Sequence, residues 1–188
     1  MYTFVRLSKT GYYADFVFYP ILLLLLGVAA MESATPAQRL TWACACATGI
    51  VIWTLLEYGL HRVVLHHAWP FRELHALHHA MPTAMIGTPT WLTATLICGC
   101  VFLPLWWTVG FNLASGLTSG LILGYLWYVL VHHAVHHWRT RPGSYLHRAK
   151  RRHAEHHHAR HPCHFGVTTA FWDRFFPCGQ KAHAVTWE

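Results

Sequence analysis

At 188 residues the chain has room for one domain of ordinary size. It is 54% hydrophobic and only 11% charged, against about a quarter charged in a soluble domain, and its mean hydropathy is +0.28, which excludes a soluble surface over most of its length and points to a membrane protein. Fourteen Lys and Arg stand against seven acids, a net charge of +7. These cations flank apolar stretches, so contact with anionic lipid headgroups is expected, and nucleic-acid binding is not.

Four stretches are apolar enough to be membrane helices, for which about 20 residues suffice. They run roughly over 16–31, 41–60, 91–111 and 113–131. The first is short for a span. It lacks a small-residue cleavage site ahead of a soluble mature chain, and further spans follow, so it reads as a membrane helix and not a signal peptide. The last two are separated by almost nothing polar near Gly110–Asn112, which predicts a tight helical hairpin. Arg6 and Lys9 precede the first span, Arg62 and Arg72 follow the second, and nine of the fourteen basic residues lie after His137. By the positive-inside rule both termini and the segments 61–90 and 132–188 face the cytoplasm. Cysteines in that compartment stay reduced, and Cys44-x-Cys46 within a span reads as small-residue packing.

Eighteen histidines are present, seventeen of them between His61 and His164, and they fall in boxes. His61 and His66 end the second span; five residues apart, they would diverge by about 140° on an ideal α-helix, so they either flank a metal pair or sit where the helix loosens. His75, His78 and His79 precede Pro82 on a predicted short helix. The third box, His132-His133-x2-His136-His137, ends the fourth span and offers two pairs at i,i+4. His153, His156 and His157 lie in the basic C-terminal segment, predicted helical up to Pro162. On a helix, positions i, i+3 and i+4 share a face, so each x2-spaced box aims three imidazoles at one point. Neutral imidazole is the commonest metal-ligating side chain, and unmetallated imidazoles packed together would repel on protonation. Two, three, two and three residues from the boxes make ten ligands. That exceeds a four-coordinate structural zinc and suits two metals with about five nitrogens each. Imidazole suits zinc, iron, copper and nickel alike, and the strongest chemistry such a pair offers is dioxygen activation by iron. His67, His147, His158, His161, His164 and His183 are expected to be ordinary surface or hydrogen-bonded groups.

These motifs resemble the fatty acid hydroxylase and sterol desaturase superfamily, most closely its fatty acid 2-hydroxylase branch. The likeness rests on Glu57-Tyr58-x2-His61-Arg62-x3-His66, on His75-x2-His78-His79 with Pro82, and on Tyr128-x3-His132-x3-His136-His137. It ends with His153-x2-His156-His157, Phe165-Gly166-Val167-Thr168 and Trp172-Asp173. Its register selects His132 and His136 over His133. The chain departs at Val129, where the branch often carries an acid, and at Phe176-Pro177-Cys178, where it usually has Phe-Gly-Thr.

The resemblance implies an all-α integral membrane protein of four spans with a cytoplasmic helical cap, a single domain over 1–188. Its metal ligands would be His61, His66, His75, His78, His79, His132, His136, His153, His156 and His157. It would be an O2-dependent di-iron monooxygenase acting on an acyl chain or fatty-acyl lipid, although zinc can fill such a site. There is no room for a cytochrome b5 domain and no Gly-x-Gly-x2-Gly fingerprint, so electrons are expected from a separate cytochrome b5-like or ferredoxin-like donor with its reductase. Glu155, Tyr128 and Asp173 are candidates for supporting the ligands or lining the substrate path, with simple exposure an equal reading for Glu155 and a structural role favoured for Asp173. Trp91, Trp106, Trp107 and Trp127 read either as tunnel lining or as an interfacial belt. The rival readings are sterol or other lipid oxidation, desaturation or carotenoid hydroxylation within the superfamily and, more distantly, a histidine-rich metal transporter. A transporter should place its ligands along a path near mid-span.

Overall fold

The computed structural model describes residues 6–159 and 163–178. All regular structure among them is helical, and the chain divides into two compact units, Met1–Thr54 with Ala84–Trp127, and Leu55–Thr83 with Tyr128–Glu188. In chain order the helices are α1 (Lys9–Tyr13), α2 (Asp15–Met31), α3 (Pro36–Gly59), a π-helical turn (Leu60–Leu65), α4 (Phe71–Ala80), α5 (Thr90–Ala94), a second π-helical segment (Thr95–Phe102), α6 (Leu103–Val109), α7 (Phe111–His137), α8 (Tyr145–His158) and α9 (Phe171–Phe175). Four stretches are long and apolar enough to cross a membrane: Lys9–Met31, Pro36–Leu65, Thr90–Val109 and Phe111–His137. Three of them contain an expected span whole, and the third ends at Val109, two residues short of the expected 91–111 because Gly110 breaks the helix there; the first gains length from α1, and the second and fourth carry their histidines as helical extensions.

The first unit is built on close contact between α3 and α7. A Cβ on Gly120 would lie 2.0 Å from the Cys46 carbonyl oxygen, and one on Gly49 would lie 2.3 Å from that of Leu117. In lipid, where apolar side chains gain nothing by leaving the solvent, such small-residue contacts hold helices together. Cys46 is buried in this seam and Cys44 faces outward, as expected for packing and not for a metal clip. Helix α2 belongs to the unit: Tyr19 is fully buried and its hydroxyl donates to Thr93 Oγ1 at 2.7 Å. Asp15, also buried, accepts from the Thr90 hydroxyl at 2.7 Å and the Tyr125 hydroxyl at 2.5 Å. Gly110 alone separates α6 from α7; its φ of +82° lets the chain reverse in one residue. Val17, Leu24, Leu25, Val28 and Trp107 stand more than half exposed, an arrangement that suits lipid and not water.

The second unit packs the ends of α3 and α7 with α4, α8 and the segment to α9. Val131, Val135, Ala149 and Val167 form its apolar core, with Tyr128 and Leu146 against them. Ser144 caps α8 by accepting from the His147 amide at 3.2 Å. Every boxed histidine lies in this unit.

Candidate metal centre

The π-helical turn Leu60–Leu65 removes the geometric conflict in the first box. In a π-helix the backbone pairs i with i+5, so residues five apart stand one above the other. His61 and His66 accordingly have ring centroids 5.4 Å apart with planes 30° from parallel. The helix loosens there, and the two rings serve one cluster.

The histidines form two groups. His61, His66, His75, His79 and His156 make the first; His78, His132, His136 and His153 make the second, with the candidate ligand atoms of each group within 4.8 Å of one another. His157 joins the second through His153, their Nε2 atoms 3.1 Å apart. Nine of the ten expected residues thus fall in the two groups, five and four, and the tenth, His157, lies beside the second. His133 is in neither group and stacks on His137 with ring centroids 4.4 Å apart.

The donor set fits metal. His75 Nε2 lies 3.0 Å from that of His61, 3.1 Å from that of His66 and 3.0 Å from that of His79. One ring nitrogen cannot make three hydrogen bonds. Nitrogens bound at about 2.1 Å to one ion sit about 3.0 Å apart at right angles, which matches. His61 Nδ1 donates to the Phe165 carbonyl and His156 Nδ1 donates to the Cys163 carbonyl, both at 2.6 Å. A carbonyl only accepts, so both Nδ1 atoms carry the proton and both Nε2 atoms present lone pairs to the cluster.

Electrostatics agree. Burial, reinforced by neighbouring imidazoles, pushes His66 down to about 4 and His78 and His157 to about 3. Burial also brings His156 to about 3 against the opposing hydrogen bond to Cys163, and holds His75, His79 and His153 below the usual range. At neutral pH these rings are uncharged, as metal ligands must be. A cavity of about 310 Å³ borders the first group, lined by His66, His75, His79 and His156 with Leu65 and Arg72.

The supporting residues divide. Tyr128 stacks on His132, ring centroids 5.6 Å apart and planes 6° from parallel. Asp173 accepts from the amides of Phe165 at 2.9 Å and Gly166 at 3.2 Å, the structural role expected of it, but with backbone donors in place of an arginine. Glu155 faces Arg151 at 4.0 Å and His164 at 3.7 Å, both outside the ten. His67 and His158 are exposed, and His147 meets the Thr140 hydroxyl; His161 and His183 lie outside the described residues. Trp91, Trp106, Trp107 and Trp127 are each 47% exposed or more. Sequence reasoning assigned no role to Glu57, although it opens the first motif. It is buried, and its Oε1 accepts the amides of Val167 and Thr168, both at 2.8 Å, while its Oε2 accepts the Thr168 hydroxyl at 2.5 Å.

This is an all-helical integral membrane protein with two histidine clusters able to hold metal ions. A family model for fatty acid hydroxylase matches residues 46–178, and the chain belongs to that family. It is 29% identical to the ceramide very long chain fatty acid hydroxylase of Saccharomyces cerevisiae, over 90% of this chain and 46% of that protein. It is 31% identical to the fatty acid 2-hydroxylase of Rattus norvegicus, over 68% of this chain and 37% of that one, so it spans under half the length of both relatives. A solved structure described as full-length scs7p with only the hydroxylase domain visible superposes with a TM-score of 0.75 at 26% identity, covering 90% of this chain and 66% of that one.

Proposed function

We propose that the chain is a membrane-bound di-iron hydroxylase that inserts oxygen into the acyl chain of a fatty-acyl lipid, with the ten clustered histidines as metal ligands and C2 of the acyl chain as the position attacked. The observation that carries this reading is the convergence of nine imidazoles in groups of five and four, with His157 beside the second, and with Nε2 atoms about 3 Å apart. Family membership supplies the substrate class: the relatives are named for hydroxylating fatty acids, and the yeast protein for those of ceramide.

Iron held there would supply dioxygen activation and C–H oxidation, with O2, two electrons and two protons converting R–H to R–OH and water. The chain's own residues do the rest. His61 and His156 are held in one tautomer by backbone carbonyls and present fixed lone pairs. Tyr128 backs His132 face to face. Burial keeps the rings neutral and limits water at the site. The two electrons come from a redox donor. The basic segments put the termini and the histidines on the cytoplasmic side, and the two compact units work as one domain, since the family match runs through both.

The test is reconstitution of purified protein with iron, O2 and an electron donor, followed by mass spectrometry of lipid. Hydroxylated acyl chains that disappear in His136→Ala are expected. Identical lipid profiles for the iron-loaded protein and that variant would overturn the reading. A shifted double-bond count in place of added oxygen would make it a desaturase.

A further inference from the structure

Glu57, in the last turn of α3, and His61, in the π-helical turn that continues it, stand four residues apart. Both grip the same loop. Glu57 takes the amides of Val167 and Thr168 and the Thr168 hydroxyl, and His61 Nδ1 donates to the Phe165 carbonyl. Asp173 holds the other edge of that loop through the amides of Phe165 and Gly166. The Phe165 peptide is therefore fixed at its N–H by Asp173 and at its C=O by His61. Two residues earlier, the Cys163 carbonyl fixes His156. Gly166 makes the fit close: a Cβ there would lie 1.9 Å from the Thr169 carbonyl oxygen. One loop, secured by two carboxylates, thus orients two of the five rings of the first group.

The second group has no such support among the described residues. No backbone carbonyl meets a ring of His78, His132, His136 or His157, and the buried Nδ1 of His153 has no hydrogen-bond partner there.

We infer that Glu57 is a positioning residue that couples metal retention in the first histidine group to the loop Cys163–Thr168, so that the two metal positions are unequal. This rests on the reading that each group holds one metal. An imidazole anchored through Nδ1 is pre-oriented and a better donor, and losing such an outer partner typically weakens metal binding about 10–100-fold. Glu57→Gln leaves a carbonyl oxygen for the two amides but removes the charge; Glu57→Ala removes both.

The test measures metal per chain and the rate of metal release to a chelator from the purified, metal-loaded protein. Wild type should hold two metals. In Glu57→Gln one of the two should leave about 10–100-fold faster while the other keeps its wild-type rate, with Glu57→Ala more severe. In a His136→Ala background, which disables the second group, the remaining metal should show the acceleration. In a His66→Ala background, it should not. Should the Glu57 variants fail to fold, Asp173→Asn acts on the same loop and carries the same expectation. Tyr19→Phe, which removes a hydroxyl hydrogen bond in the other unit, should change neither rate. Equal acceleration of both metals, acceleration of neither, or equal acceleration in Tyr19→Phe would overturn the inference. A wild-type protein holding fewer than two metals would instead overturn the reading beneath it.

Discussion

His79 and His157 stack face to face, ring centroids 4.1 Å apart and planes 12° from parallel, one from each histidine group. They come from α4 and α8, and they are where the two groups touch most closely. His79 Nε2 also lies 3.1 Å from that of His156. Replacing His79 with Ala removes one nitrogen from the first group and the packing partner of a ring in the second. Bound metal should fall below two per chain, and hydroxylation should drop by more than the roughly 10–100-fold typical of outer-shell changes. His133→Ala, outside both groups, should keep full metal content. Metal analysis of the two purified variants side by side checks this.

The seam between α3 and α7 should tolerate no side chain. Gly120→Val places a Cβ against the Cys46 carbonyl, a backbone atom that cannot swing aside. Overpacking of this kind costs about 1–3 kcal/mol. A lower melting temperature in detergent is expected, with reduced metal content only as a consequence of unfolding. An unchanged melting temperature would show that the helices separate readily.

Asp15 predicts a different kind of loss. Tyr125→Phe removes one of its two hydroxyl donors and leaves a buried carboxylate oxygen without that partner. Leaving a buried polar group unsatisfied costs about 1–3 kcal/mol. Thr90→Ala removes the other donor and should cost a similar amount. Thermal unfolding of the two single variants and the double variant measures both, and more-than-additive loss is expected because they serve one carboxylate.

Metal-free protein should be acid-sensitive. His66, His78, His156 and His157 titrate near 4, 3, 3 and 3 when folded, against 6.5 as the ordinary value. Below pH 6.5 the unfolded chain binds protons that the folded chain does not, so stability falls with pH. The stabilisation is fully present above 6.5 and is lost progressively as pH drops through about 4 toward 3. Melting temperatures of chelator-treated protein should decline across that window. Bound metal competes with protons for the same nitrogens, so loaded protein should hold its melting temperature to lower pH. Coincident curves for loaded and metal-free protein would contradict this.

How much of the site was legible can be judged residue by residue. The nine histidines of the two groups, with His157 beside the second, are the ten expected, because box spacing sets which rings share a helix face. Choosing His132 and His136 over His133 needed the motif register, since both pairs have helical spacing. The outcome at His61 and His66 stayed open because a five-residue step is awkward on an α-helix, and only the π-helical turn reconciles it. Glu57 was visible as a motif letter but not as an anchor, since its partners lie 110 and 111 residues away. Glu155 sits inside a box yet faces Arg151 and His164, because neighbouring positions on a helix point to different sides.

Composition and hydropathy by themselves determined that this is a helical membrane protein with four spans, because burying apolar side chains in lipid needs only their presence in runs of sufficient length. Local spacing determined which histidines can share a helix face, because helical periodicity is a short-range property, while the choice of His132 and His136 over His133 came from the motif register. The tertiary structure alone decided how they divide between two groups, which rings are anchored, and which loop anchors them. Those relationships include contacts between groups up to 111 residues apart, and nothing short of the packed fold brings such distant groups within hydrogen-bonding range.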